Sequence, residues 1–160
     1  MSVLGDIAAT YRDPRRVVRR HLSAGPREDR ALAVLMGACV IVFVAQWPRL
    51  AREAHLADQG LAELLGGALM GWLFIAPLLF YGLGLVAWLV ARALGSRASP
   101  YDARLALFWA LLASTPLFLL NGLVAGFVGP GPGLTLVGAL WFAVFLWFWV
   151  SGMAAGWRGT

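Results

Sequence analysis

Four stretches of this chain contain no Asp, Glu, Lys, Arg or His: residues 31–47, 64–91, 105–128 and 134–157. They are 17, 28, 24 and 24 residues long, and a helix of roughly 20 apolar residues crosses about 30 Å of hydrocarbon. The expected fold is therefore an all-α integral membrane protein with four transmembrane helices over residues 31–160, preceded by a cytoplasmic, basic, amphipathic segment over residues 1–30. At a rise of about 1.5 Å per residue the first span is only about 25 Å long, so it must stand upright or be extended by its flanks. The second is long enough to tilt, or to bend at Pro77. Residues 48–63 carry Arg49, Arg52, Glu53, His55, Asp58 and Glu63, which leaves no material for a fifth span.

Composition agrees with lipid as the solvent. The chain is 61% hydrophobic and 13% charged, against about 45–50% and about 25% for soluble domains. All thirteen basic residues are arginines, which points to a GC-rich bacterial genome. Cys39 is the single cysteine, so neither a disulfide framework nor a thiolate metal cluster can form within one chain.

Arginine placement sets the orientation. With four spans both termini lie on one side, which holds eleven arginines; the other side holds Arg49 and Arg52 alone. The positive-inside rule puts both termini in the cytoplasm of a bacterial inner membrane. Helix starts are written on that same side. Ser99, Pro100 and Asp102 form a capping sequence for the third span, and Asp13 with Pro14 repeats it upstream. Pro26 with Glu28 and Asp29 suggests a third such start before the first span.

Residues suited to catalysis are scarce. His21 and His55 lie outside the spans in no metal-binding pattern and read as exposed loop residues; no serine sits in a nucleophile elbow. No charge lies inside a span to relay protons or hold an ion. The segment GPGPG, residues 129–133, reads as a turn rather than a nucleotide loop. No enzyme activity, metal or cofactor is expected.

The run LASTPLFLLNG, residues 112–122, invites two readings. Pro116 removes a backbone hydrogen bond and should kink the third span, while Ser114, Thr115 and Asn121 can bond to nearby carbonyls or to a neighbouring helix. Alternatively they line a small cavity with Tyr81, near Pro77 of the second span. Packing is the favoured reading. Gly67 and Gly71, Gly122 and Gly126, and Gly152 and Gly156 are small-residue steps that allow close helix approach, within one chain or between chains. The fourth span bears Trp141, Phe142, Phe145, Trp147, Phe148 and Trp149, a set of rings able to face lipid, the favoured reading, or to pack against a pigment, a quinone or a partner helix. Trp47 and Trp157 are interface anchors.

In RDPRRVVRRHL, residues 12–22, the centres of the pairs Arg15/Arg16 and Arg19/Arg20 fall about 40° apart on a helix, as do Val17/Val18 and His21/Leu22. One face is basic and the other mostly apolar. This predicts an interfacial helix with Arg12, Arg15, Arg16, Arg19 and Arg20 at lipid phosphates. A nucleic-acid role is not expected, because base-stacking aromatics are missing from this short, tethered segment.

The stretches DPRRVVRRHL, GPREDRALAVL and RASPYDARLALFWALLASTPLFLL together resemble a small bacterial member of the Yip family, membrane proteins of the Rab/Ypt-GTPase-interacting type. The resemblance implies a helical multi-span domain with a cytoplasmic N-terminal segment and a role in membrane organisation or trafficking. Eukaryotic members typically carry a DLYGP motif and usually five spans; this chain has no such motif and four. The expected function is thus a non-enzymatic scaffold that organises anionic lipid, as a homo-oligomer or within a larger membrane complex. Two rivals are an accessory subunit of a respiratory or photosynthetic complex, docking through the aromatic fourth span, and a small-molecule carrier using the Pro116 region.

The arginine asymmetry makes a direct prediction. Reporter fusions at the C-terminus and in the loop at residues 95–99 should report the cytoplasm, and one near Asp58 the opposite side. A C-terminal fusion reporting the periplasm would overturn the span count.

Overall fold

The computed structural model describes residues 2–159. Two short helices come first, α1 (Val3–Thr10) and α2 (Pro14–Ser23). Then follow α3 (Glu28–Ala57), α4 (Leu61–Met70), a π-helical turn (Gly71–Ile75), α5 (Ala76–Ala93), α6 (Pro100–Phe127) and α7 (Pro132–Gly156). Four helices are long and apolar enough to cross a membrane: α3, the continuous Leu61–Ala93 rod, α6 and α7. The expectation of an all-helical chain with four such helices is borne out.

Several boundaries differ from those read in the sequence. The first long helix is extended by its flanks, running through Pro48 to Ala57 with its charged last turns, about 45 Å in all. It starts at Glu28 after Arg27, which makes no side-chain cap, so Pro26 lies outside the helix. The second rod is interrupted just before Pro77. A proline there lacks an N–H and its ring would strike the carbonyl four residues back; the wider π turn avoids this, with the Ala76 N–H bonding the Gly71 carbonyl. Ser99 and Asp102 form the expected reciprocal cap, at 3.1 and 2.8 Å, and Asp13 caps α2 by accepting from the Arg16 N–H at 3.1 Å.

Helix α6 is the centre of the bundle. From Tyr101 to Thr115 every residue except Arg104 is buried, because α3, α5 and α7 pack around this half and α1 and α2 cover what remains. Beyond Pro116 its side chains Leu119, Leu120 and Leu123 are exposed. Two of the small-residue steps set the packing distances. A Cβ on Gly122 would overlap the Ala45 carbonyl of α3, and one on Gly126 would overlap Pro48. Gly152 sits with Ala106 Cβ 3.0 Å from where its own Cβ would be, and Gly156 lies against Asp102. Gly67 and Gly71 have nothing within 4 Å of such a Cβ.

That contrast generates a test. Gly122→Ala must push α3 from α6 and should destabilise the protein in detergent by about 2 kcal/mol or more. Gly67→Ala should be neutral or stabilising by up to about 1 kcal/mol, through helix propensity alone. Equal melting temperatures for the two variants would remove close α3–α6 packing as a source of stability.

Candidate functional site: an arginine face on the N-terminal helices

Helix α2 buries Val17, Val18, His21 and Leu22 and exposes Arg15, Arg16, Arg19 and Arg20, with Arg12 exposed just before it. The apolar residues of α2, expected to lie in the membrane interface, meet protein instead. Val18 lies against Gly152 and Leu22 against Gly156, and Tyr11 sets its ring edge-on to Phe148 at 4.9 Å. Helix α2 therefore runs alongside the end of α7 in the same direction, instead of resting its apolar face in lipid. The reason is local: Gly152 and Gly156 leave a shallow track into which Val18 and Leu22 fit.

Beneath the arginine face lies a buried polar cluster. Asp6 of α1 pairs with Arg20 and lies 3.3 Å from His21 Nε2. The Arg30 guanidinium of α3 donates to His21 Nδ1 at 2.6 Å. A guanidinium can only donate, so Nδ1 carries the lone pair and the proton sits on Nε2, facing Asp6. Trp109 of α6 donates to the Thr10 hydroxyl at 3.0 Å, and that hydroxyl donates to the Asp6 carbonyl at 2.7 Å. His21 also packs on Trp109, with ring centroids 4.4 Å apart. Four helices are thus tied together, α1 to α2 by Asp6 and Arg20, α2 to α3 by His21 and Arg30, and α1 to α6 by Thr10 and Trp109. The expectation that His21 is an exposed loop residue fails, since it is 6% exposed on a helix; His55 is exposed, at the end of α3. Burial, and then the Arg30 charge, push the His21 pKa down to about 4, against the opposing pull of Asp6.

The basic side chains differ in what holds them. All five acidic residues at this end are engaged: Asp6 with Arg20, Glu28 with Arg104, Asp29 with Arg27, and Asp13 and Asp102 as helix caps. Among the described residues, Arg12, Arg15, Arg16 and Arg19 form no ion pair with a carboxylate. Arg12 and Arg16 line one recess with Asp13, and Arg15, Arg16, Arg19 and Arg20 line another.

The residues around Pro116 form hydrogen bonds to backbone carbonyls and to α7. Pro116 leaves the Leu112 carbonyl without its usual donor, and the Thr115 hydroxyl supplies one at 2.7 Å; the helix continues through the proline. Ser114 donates to the Leu111 carbonyl at 2.9 Å and accepts from Trp141 Nε1 at 3.2 Å. Asn121 reaches the Leu134 carbonyl at 3.5 Å. Tyr81 lies elsewhere, edge-on to Phe108 at 5.0 Å and beside Arg104, while Pro77 is buried at the start of α5. The rings of α7 do not form one docking face. Phe145 and Phe148 are core residues, Trp141 is stacked on Phe145 at 5.7 Å, and Trp149 is half-buried. Trp147 and Phe142 are the exposed ones.

Asp6, Thr10, Arg30 and Trp109 were not singled out in the sequence. The signal available was Ser2 as a helix cap, accepting from the Gly5 N–H at 3.1 Å, with Asp6, Ile7 and Thr10 at helical spacing behind it. No family model, curated protein or solved structure matches this chain, so the site is read from its own geometry.

Because His21 is held neutral, its contribution has a definite sign. The folded state binds fewer protons than the unfolded one between pH 6.5 and about 4, so this stability is fully present above pH 6.5 and is lost as pH falls. At pH 5 the loss should be about 2 kcal/mol. Limited proteolysis of α1 and α2 in detergent should accelerate as pH drops from 7 to 5, and His21→Phe should flatten the response. Protection that is constant or improves on acidification would show that His21 does not hold the helices in place.

Proposed function

We propose that this chain is a non-enzymatic, multi-pass protein of a bacterial cytoplasmic membrane, with both termini inside. In this reading it organises anionic lipid through the arginines of its N-terminal helices, the kind of role the Yip resemblance implies. One observation carries the reading. Arg12, Arg15, Arg16 and Arg19 are exposed at the arginine-rich end of the bundle, while among the described residues every acidic side chain there is already engaged.

Arginine is suited to this work because its guanidinium forks onto phosphate oxygens with two hydrogen bonds. Near an anionic leaflet each basic residue contributes about 1 kcal/mol, falling off over a Debye length of roughly 8 Å at physiological salt. The four long helices already secure the chain, so this energy is free to enrich anionic lipid around it. Arg20 contributes less, its charge being shared with Asp6. The polar groups near Pro116 support a structural role, since each has a hydrogen-bond partner.

The full chain in mixed phosphatidylglycerol and phosphatidylcholine liposomes should enrich phosphatidylglycerol in its lipid shell, measured by spin-labelled lipid exchange. Arg12→Ala with Arg16→Ala should lower that enrichment several-fold at low salt, with a smaller effect at high salt. Enrichment indifferent to both changes and to salt would leave the arginines as a topology signal alone.

A further inference from the structure

Helices α5 and α7 both pack on α6, and the two face each other across a gap at the end that bears the termini. Between them lies a groove of about 560 Å³, within the roughly 300–1,000 Å³ common for small-molecule sites. Its walls are Leu83, Val86 and Val90 of α5 and Trp149, Val150 and Met153 of α7, and its lining is almost wholly apolar. Along α5 it extends from Leu83 to Leu94, about 16 Å of helix. That is close to the depth of one leaflet, half of about 30 Å.

The groove ends at a charged recess. Ala154 and Trp157 line the groove, and the same two residues line a second recess of about 570 Å³ together with Arg15, Arg19 and Arg158. The arginines come from different parts of the chain, two from α2 and one from the residues after α7. They meet because α2 runs beside the end of α7, with Leu22 against Gly156. Among the described residues none of the three is ion-paired to a carboxylate, and no acidic residue lines this recess.

An apolar slot one leaflet deep, opening beside three guanidiniums that pair with no described carboxylate, has the shape and charge of one kind of ligand. Resting on the reading of the arginine face as a headgroup surface, we propose that the α5–α7 groove and Arg15, Arg19 and Arg158 form a discrete site for one anionic phospholipid. An acyl chain lies along Val86, Val90 and Val150, and the phosphate sits among the three guanidiniums. Trp157 bridges the two parts at the level where chain gives way to headgroup, the depth at which indole rings are favoured. A partner helix would fill the apolar part and leave three cations unmatched; a free phosphate would leave the groove unused.

Native mass spectrometry of the full chain in mild detergent tests the site, with phosphatidylglycerol and phosphatidylcholine of identical chains as probes. One phosphatidylglycerol per chain should be retained, in preference to phosphatidylcholine. Arg158→Ala should lower its retention about fivefold, the contribution of one basic residue near an anionic headgroup. Arg27→Ala, which removes an arginine outside the recess, should leave retention unchanged. Ala154→Trp places bulk at an exposed position of the groove, and should displace the lipid without lowering the melting temperature. Glycerophosphate, the headgroup without chains, should not compete. Equal retention of the two lipids, equal effects of Arg158→Ala and Arg27→Ala, or displacement by glycerophosphate at lipid-like concentrations would overturn the proposal. A saturable adduct sensitive to Arg158→Ala, with shell enrichment in liposomes indifferent to Arg12 and Arg16, would support the site and overturn the broader surface reading. Shell enrichment that depends on Arg12 and Arg16, without a stoichiometric adduct, would do the reverse.

Discussion

The burial of the first half of α6 is the constraint on which the rest of the structure depends. From Tyr101 to Thr115 this helix is apolar nearly all round, and three long helices cannot cover it on every side. The remaining side is closed by α1 and α2, whose Ile7, Val17, Val18 and Leu22 join the same core. Once those residues face inward, helical geometry turns Arg15, Arg16 and Arg19 outward. The display of charge is thus a consequence of how the central helix is covered.

Polar groups placed inside this core serve to fix its register. The Asp6, Thr10, Arg20, His21, Arg30 and Trp109 cluster joins α1, α2, α3 and α6 through directional bonds, Arg20 to Asp6, Arg30 to His21 and Trp109 to Thr10, which apolar contact alone does not supply. At the other end of the core, Ser114 and Trp141 tie α6 to α7, and Thr115 repairs the gap left by Pro116. Close backbone approach does comparable work between α3 and α6 at Gly122 and Gly126. Helix association in lipid draws little on the hydrophobic effect, so hydrogen bonds and tight van der Waals contact must carry it.

The same arrangement links fold to function. Helix α2 beside α7 brings Arg15 and Arg19 next to Arg158, and an apolar groove between α5 and α7 reaches that point. A change that loosened α2 would therefore disperse the cations as well as uncover α6. His21, buried and neutral above pH 6.5, sits at the joint between those two effects.

Local features of the sequence determined the number of long apolar helices, the caps at Asp13 and Ser99, the alternation of Arg pairs with apolar pairs, and the scarcity of catalytic side chains. Each depends on residues within a turn or two, or on the length of an uncharged run. The tertiary structure alone decided which faces meet. It buried His21, set Gly122 but not Gly67 against a neighbour, took Phe145 and Phe148 into the core while leaving Trp147 outside, separated Tyr81 from Ser114 and Asn121, and joined Arg158 to Arg15 and Arg19. The physical reason is that a side chain such as Leu or Phe is as well accommodated by lipid as by protein. Hydropathy therefore marks where a helix can cross but carries no periodic signal of which face turns inward, and that choice falls to shape and hydrogen bonding between residues far apart in the chain.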